Sequence, residues 1–198
     1  MPSSRKNSRQ KLIDSALELF LSQGIAHTAT RQIANLAEVN EATLFRNFGN
    51  KYGLLQAVIQ EPVLLKGLEK EIKSHLHDEE SVTLRDYSLA FLAVLETQQA
   101  FLCSLIGEAD NYSDELKQEL TKALQQANQA LTPLVPQLNS PLPDGSTMAV
   151  LHGLLLSYSI LRYASQLPKP WLNPEAYVDM VLRLFAEGDR PSQPQPQE

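Results

Sequence analysis

Apolar residues along this chain recur every three or four positions and almost nowhere in alternation. That spacing restricts the chain to helices, because a strand buries every second residue whereas a helix buries a stripe at i, i+3, i+4 and i+7. Leu12, Ile13, Ala16, Leu17, Phe20 and Leu21 form one wide stripe. Ser8 is the expected N-cap of that helix and Gly24 its left-handed terminator. A short second helix is predicted after Thr30, with Ile33, Ala34 and Ala37 on one face and Val39 in the turn that follows. A third starts after the Asn40 cap and runs to about Asn47, where Phe48-Gly49-Asn50 breaks it. A fourth opens near Lys51 with Leu54, Leu55, Val58 and Ile59.

Pro62 interrupts the fourth helix, since it lacks an N–H and its ring crowds the preceding turn. Either the helix kinks there, or one helix ends near Gln60 and another starts with Pro62 in its first turn. The pattern stays helical beyond it. Leu84, Tyr87, Phe91, Leu92 and Leu95 share a stripe after Thr83, with Asp86 completing a capping box. Phe101 to Ile106 is a further apolar stretch, and Leu116, Leu120, Leu124, Ala127 and Leu131 follow the Ser113 cap. Four prolines between 133 and 145 predict a loop. A helix from about 146 to 166 is apolar nearly all round, and the last has Asn173 as cap with Pro174 at its first position. Residues 189–198 lack apolar anchors and are expected to be disordered. The expected fold is therefore all-α, about nine helices, with a three-helix N-terminal head (1–60) and a C-terminal helical bundle (61–188).

The net charge of −6 argues against a nucleic-acid partner only if it is left undivided. Residues 1–60 hold seven basic and four acidic side chains, +3, and the remainder holds ten and nineteen, −9. A basic head on an acidic body suits phosphate at one end. The longest apolar stretch, Leu151 to Leu161, falls short of the roughly 20 residues needed to span a bilayer. No signal peptide is recognisable, and Cys103 is the only cysteine, so a cytoplasmic protein without intrachain disulfides is expected.

Two short helices joined by a tight turn and preceded by a longer packing helix make a helix-turn-helix, whose second member lies in the major groove. Here that member is NEATLFRNF, with Glu41, Ala42, Thr43, Arg46 and Asn47 outward and Leu44 and Phe48 inward. Thr43 suits a phosphate or a thymine methyl, Arg46 a phosphate or guanine, and Asn47 a base or phosphate. Thr30 and Arg31 open the preceding helix, and Lys51 the following one, where free N–H groups favour a phosphate. Arg5 and Lys6 form an arm long enough to lie along the backbone or a minor groove.

From about Arg9 to Leu55 the chain resembles the head of TetR-family repressors. The resemblance rests on ALELFLSQG, TRQIA, LAEVNEATLFRNFGNK and Leu54-Leu55. It implies that Thr30, Arg31, Thr43, Phe45, Asn47 and Lys51 sit at the DNA surface, and that the body is a helical ligand-binding and dimerisation domain. Three positions depart from the family pattern: Glu38 where Gly is usual in the turn, Phe45 for Tyr, and Asn47 for His. Glu38 brings a negative charge towards the duplex unless it turns away.

The expected assembly is a homodimer on double-stranded DNA, reading a palindromic operator with half-sites about 34–36 Å apart or a little more. The last two helices are the expected interface, through Leu151, Leu155, Tyr158, Arg162, Val178, Leu182 and Phe185, with intrachain core as the competing assignment. A hydrophobic or amphipathic effector is expected against Leu68, Phe91, Leu95, Phe101, Leu105 and Tyr112, a stripe that plain core would also explain. No cofactor and no metal are expected. His75, His77 and Asp78 to Glu80 are better explained as a polar loop than as a metal site, His152 as a hydrogen-bonded core residue, and Cys103 as an inert thiol. An enzyme is the weaker alternative, and a ligand-independent DNA-binding scaffold that recruits a protein partner the other.

Overall fold

The apolar stripe of the first helix organises the N-terminal third of the molecule. A computed structural model describes residues 3–76, 82–131, 146–164 and 173–187, and among them are ten α-helices and one 3-10 turn. The head holds α1 (Ser3–Gln23), α2 (Thr30–Leu36), α3 (Glu41–Phe48) and α4 (Lys51–Ile59). Leu12, Ile13, Ala16 and Phe20 of α1 are buried against Ile25, Ile33, Ala37, Leu44, Leu54, Leu55 and Val58. Helix α1 starts at Ser3, five residues before the expected cap at Ser8. Arg5 and Lys6 therefore lie on its first turns rather than in an extended arm; nothing between Ser3 and Asn7 breaks a helix, and Arg and Lys are good helix formers.

The turns follow the local chemistry. Gly24 ends α1 at φ +81°, a left-handed backbone that suits glycine, and a Cβ there would stand 2.7 Å from the Ala100 carbonyl oxygen. Asn40 caps α3 by accepting from the Ala42 N–H at 2.8 Å. Asn50 caps α4 by accepting from the Tyr52 and Gly53 N–H groups at 2.8 and 2.9 Å. Gly53 escaped the sequence argument altogether. Any Cβ at that position collides with the Phe48 carbonyl at the end of α3, which fixes how closely α3 and α4 approach. Gly53→Ala is expected to cost about 1–3 kcal/mol, or roughly 2–12 °C in melting temperature for a chain of this size. An unchanged melting curve would mean that the carbonyl moves aside freely.

At Pro62 the helix does not kink. Helix α4 stops at Ile59, and α5 (Pro62–Ser74) begins with the proline at its first position, where a missing N–H costs nothing. That break supplies the tenth helix where about nine were expected. The body continues with α6 (Leu84–Thr97), α7 (Gln99–Gly107), the 3-10 turn Ala109–Asn111, α8 (Asp114–Leu131), α9 (Ser146–Ala164) and α10 (Pro174–Glu187). The Thr83–Asp86 capping box forms as expected, Thr83 N–H donating to Asp86 at 3.0 Å. The Asn173 side chain accepts from the Glu175 N–H at 2.9 Å, capping α10.

Two apolar clusters result, and they do not coincide with the head and body of the sequence argument. The first continues from the head into Phe101, Tyr112 and Leu116. The second is built from Ile72, Tyr87, Phe91, Leu95, Leu131, Leu151, Leu155 and Val178 among others. The proline loop between 133 and 145, the His77 to Glu80 stretch and the tail 189–198 lie outside the described residues. No single helix among those described is long and apolar enough to cross a membrane.

Candidate nucleic-acid interface

Helices α2 and α3 are pinned from behind and open in front. Ile33 and Leu44 are fully buried and clip the two helices to α1. The turn between them passes through Glu38 at φ +55°, the one non-glycine residue with positive φ among those described. A left-handed backbone strains most L-residues, which accounts for glycine at this position in the family pattern. The Glu38 carboxylate turns back onto Lys11, 3.3 Å away, so its charge is directed at α1. Both side chains are exposed, and the pair adds at most about 1 kcal/mol.

In front, Ala42, Phe45, Arg46 and Asn47 of α3 are exposed and Thr43 is half-buried. The Phe45 ring is 47% exposed, so it belongs to a surface rather than to the core. The Asn47 amide donates to the Thr43 carbonyl at 2.7 Å, which leaves its carbonyl oxygen outward as an acceptor. Arg31 is exposed at the start of α2. On the flank, the Arg9 guanidinium lies 5.3 Å over the Phe48 ring and covers its apolar face.

Two expected phosphate donors are engaged within the chain. The Thr30 hydroxyl donates to Glu41 Oε1 at 2.6 Å, across the turn from α2 to α3. Lys51 Nζ donates to the Ile25 carbonyl at 2.8 Å and so ties the start of α4 to the loop after α1. An ammonium has three donors, so Lys51 retains two for another acceptor.

The head is joined to the body by contacts invisible in the sequence. The Tyr52 hydroxyl donates to the Glu108 carboxylate, which with burial holds the phenol pKa above its ordinary value. Tyr52 meets Tyr112 edge-on at 5.6 Å, and the Ala26 N–H donates to Ser104 Oγ at 2.7 Å. Helix α7 and the 3-10 turn thus grip the end of α1 and the start of α4.

The residues expected to line one ligand pocket divide between two clusters. Phe91 and Leu95 are buried in the body cluster with Leu68 against it, whereas Phe101, Leu105 and Tyr112 pack with the head. The 3-10 turn and α8 fold back towards α4, which removes the second group from the first. Within the body cluster runs a polar chain. The Tyr87 hydroxyl lies 2.7 Å from His152 Nε2, and His152 Nδ1 lies 2.6 Å from Asn128 Oδ1. An amide oxygen only accepts, so Nδ1 carries the proton and Nε2 accepts from Tyr87. The Phe91 ring stacks on the imidazole at 4.6 Å. Burial lowers the His152 pKa to about 4 and raises that of Tyr87 well above the usual phenol range. His152 is thus the hydrogen-bonded core residue the sequence suggested, and Cys103 is half-buried with its thiol pKa pushed up by burial.

Of the seven expected dimer residues, four are buried within the chain and three are partly exposed. Leu151, Leu155, Tyr158 and Val178 are buried in the chain's own core, and Leu182 and Phe185 pack against it. Arg162 pairs with Glu96 of α6. The reason is rotational: α9 is apolar on two faces, and the long stripe satisfies the intrachain core first. Its other face, with that of α10, leaves Val150, Leu161, Met180 and Leu184 exposed.

Residues 12–58 match the family model for bacterial regulatory proteins of the tetR family. The probable acrEF/envCD operon repressor of Escherichia coli K12 is 24% identical over 197 residues, covering 90% of this chain and 86% of that protein. The uncharacterised HTH-type regulator YvkB of Bacillus subtilis is 41% identical over 54 residues, 27% of this chain and 29% of its own length. Among solved structures, Thermus thermophilus FadR in complex with lauroyl-CoA superposes with a TM-score of 0.60 at 21% identity, over 96% of this chain and all of that one.

Proposed function

The chain belongs to the TetR family of bacterial regulatory proteins, and from that footing we propose a homodimeric, operator-binding repressor released by a small effector. Chains of this family are DNA-binding transcription regulators rather than enzymes. We assign residues 1–60 to reading DNA, 61–188 to dimerisation and effector binding, and 189–198 to a tail. The observation that carries the reading is the outward face of α3. Ala42, Phe45, Arg46 and Asn47 are exposed on a helix whose Leu44 is fully buried and whose start is capped by Asn40. With Arg31 and the two spare donors of Lys51, they supply both base-edge and phosphate contacts. We assign Arg5 and Lys6 to phosphate contacts as well, by their charge. The Phe45 ring meets a sugar or a thymine methyl where a phenol would reach a phosphate.

One head spans only a few base pairs, so a twofold dimer is the working unit. The apolar stripe Val150, Leu161, Met180 and Leu184 on α9 and α10 supports an interface there. We place the effector in the body cluster, where Phe91 stacks on His152 within the Tyr87–His152–Asn128 chain and Leu95 of α6 and Leu68 of α5 pack in the same cluster. That lining, within a body of net charge −8, favours an uncharged amphipathic ligand over a polyanion such as the lauroyl-CoA held by the Thermus protein. Ligand entry strains α7, whose grip on Ala26 and Tyr52 re-aims the heads. Selection of binding sites from a random duplex pool at fixed salt tests the operator. A palindrome with half-sites about one helical turn apart is expected. No enrichment above salt-sensitive background would sink the operator and favour a scaffold role. Retention of the selected duplex by uncharged amphiphiles that bind the body would sink release.

A further inference from the structure

The contact between Thr30 and Glu41 places a carboxylate on the reading surface, which phosphate binding does not explain. Glu41 is the first residue of α3, the end of a recognition helix that meets base edges. A carboxylate there is repelled by every phosphate, yet it is held across the turn by the Thr30 hydroxyl at 2.6 Å, the length of a charge-assisted O–H···O⁻ bond. Glu41 forms no ion pair among the described residues, in contrast to Glu38, whose charge meets Lys11. Its neighbour Ala42 is small and exposed, so nothing bulky keeps the carboxylate from the groove floor.

We propose that Glu41, positioned by Thr30, is a base-reading residue that selects cytosine at one symmetry-related position in each half of the operator. The inference rests on the operator-binding reading above. A carboxylate only accepts hydrogen bonds, and with one oxygen engaged by Thr30 the other meets a donor. In the major groove the donors are the N4 amino group of cytosine and the N6 amino group of adenine. Adenine carries the N7 acceptor beside its amino group, and guanine and thymine show acceptors at this edge, so cytosine is the one base whose own major-groove edge offers a donor and no acceptor. Discrimination therefore comes from repulsion of the wrong bases as much as from attraction to the right one. Pinning by Thr30 removes part of the rotamer freedom that a free glutamate would lose on binding.

The test is site selection with the full chain as wild type, Glu41→Ala, Glu41→Gln, Thr30→Val and Thr30→Ser, with melting curves to verify folding. Wild type is expected to select cytosine at one symmetric pair of positions, and changing C·G to T·A there to weaken its binding roughly 5- to 150-fold. Glu41→Ala loses the preference at that pair alone and binds unrelated duplexes more tightly. Glu41→Gln shifts it towards adenine, which glutamine reads through N6 and N7. Thr30→Val narrows the C-to-T penalty without changing the salt dependence, and Thr30→Ser restores it. An unchanged consensus and an unchanged penalty in folded Glu41→Ala overturn the inference and leave operator binding standing. Absence of any wild-type enrichment overturns operator binding itself, and the inference with it.

Discussion

Aspartate at both Leu161 and Leu184 is expected to leave a folded monomer whose operator affinity is about 10²- to 10⁴-fold lower, the range by which linked sites exceed single ones. The side chains are 59% and 61% exposed within one chain, so replacing them removes little of its own core. In a dimer the same four charges would be buried without partners, at several kcal/mol each. Sedimentation velocity and operator titration, run on one preparation, read both effects. A dimer that survives the double substitution places the interface elsewhere. Leu155→Asp is the informative contrast. That residue is fully buried within the chain, so the substitution is expected to unfold the body rather than to separate protomers.

Between pH 7 and pH 4, folding is expected to lose about 3 kcal/mol through His152 alone. The folded imidazole has a pKa of about 4 against an ordinary value of 6.5, because burial disfavours its charged form. The unfolded chain therefore binds the proton first as pH falls. Stability from this group is fully present above pH 6.5, is lost progressively down to pH 4, and changes no further below it. Tyr87, held protonated throughout, remains a donor to Nε2 in this range. Urea unfolding of wild type and His152→Gln at fixed protomer concentration separates this contribution from that of the carboxylates. The variant is expected to show a pH dependence smaller by about 3 kcal/mol. Parallel curves for the two proteins would show that the imidazole is no more costly to charge when folded than when unfolded. In the folded protein the imidazole takes up its proton only around pH 4 and below, so the Tyr87–His152–Asn128 chain, and effector affinity with it, is expected to persist through the window in which stability is lost and to fail only at its acid end.

How much was legible depends on how local each signal is. Caps and turns depend on neighbouring residues, and Asn40, Thr83, Asn173 and Gly24 all occupy the roles their local sequence implies. The outward set on α3 was legible for the same reason, since Leu44 fixes the inner face of a helix only two turns long. Helix α9 was not, because a helix apolar on two faces carries no mark of which face the chain keeps for itself. Leu151 and Leu155 went to the core and Val150 and Leu161 to the surface through the packing of α6 and α10 against it. The aromatic stripe from Phe91 to Tyr112 misled in a related way. It reads as one surface along the chain, but the break at Gln98 and the 3-10 turn at Ala109–Asn111 send its ends to different clusters.

By itself the sequence determined the all-α class, the helix-turn-helix and the polarity of its reading helix, because periodicity and capping act over four residues or fewer. Only the tertiary structure decided that Thr30 holds Glu41, that Lys51 braces Ile25, that Gly53 admits Phe48 and that Tyr87 reaches His152. Those contacts join groups between 5 and 65 residues apart, and no local pattern encodes which distant partner a buried or pinned polar group will find.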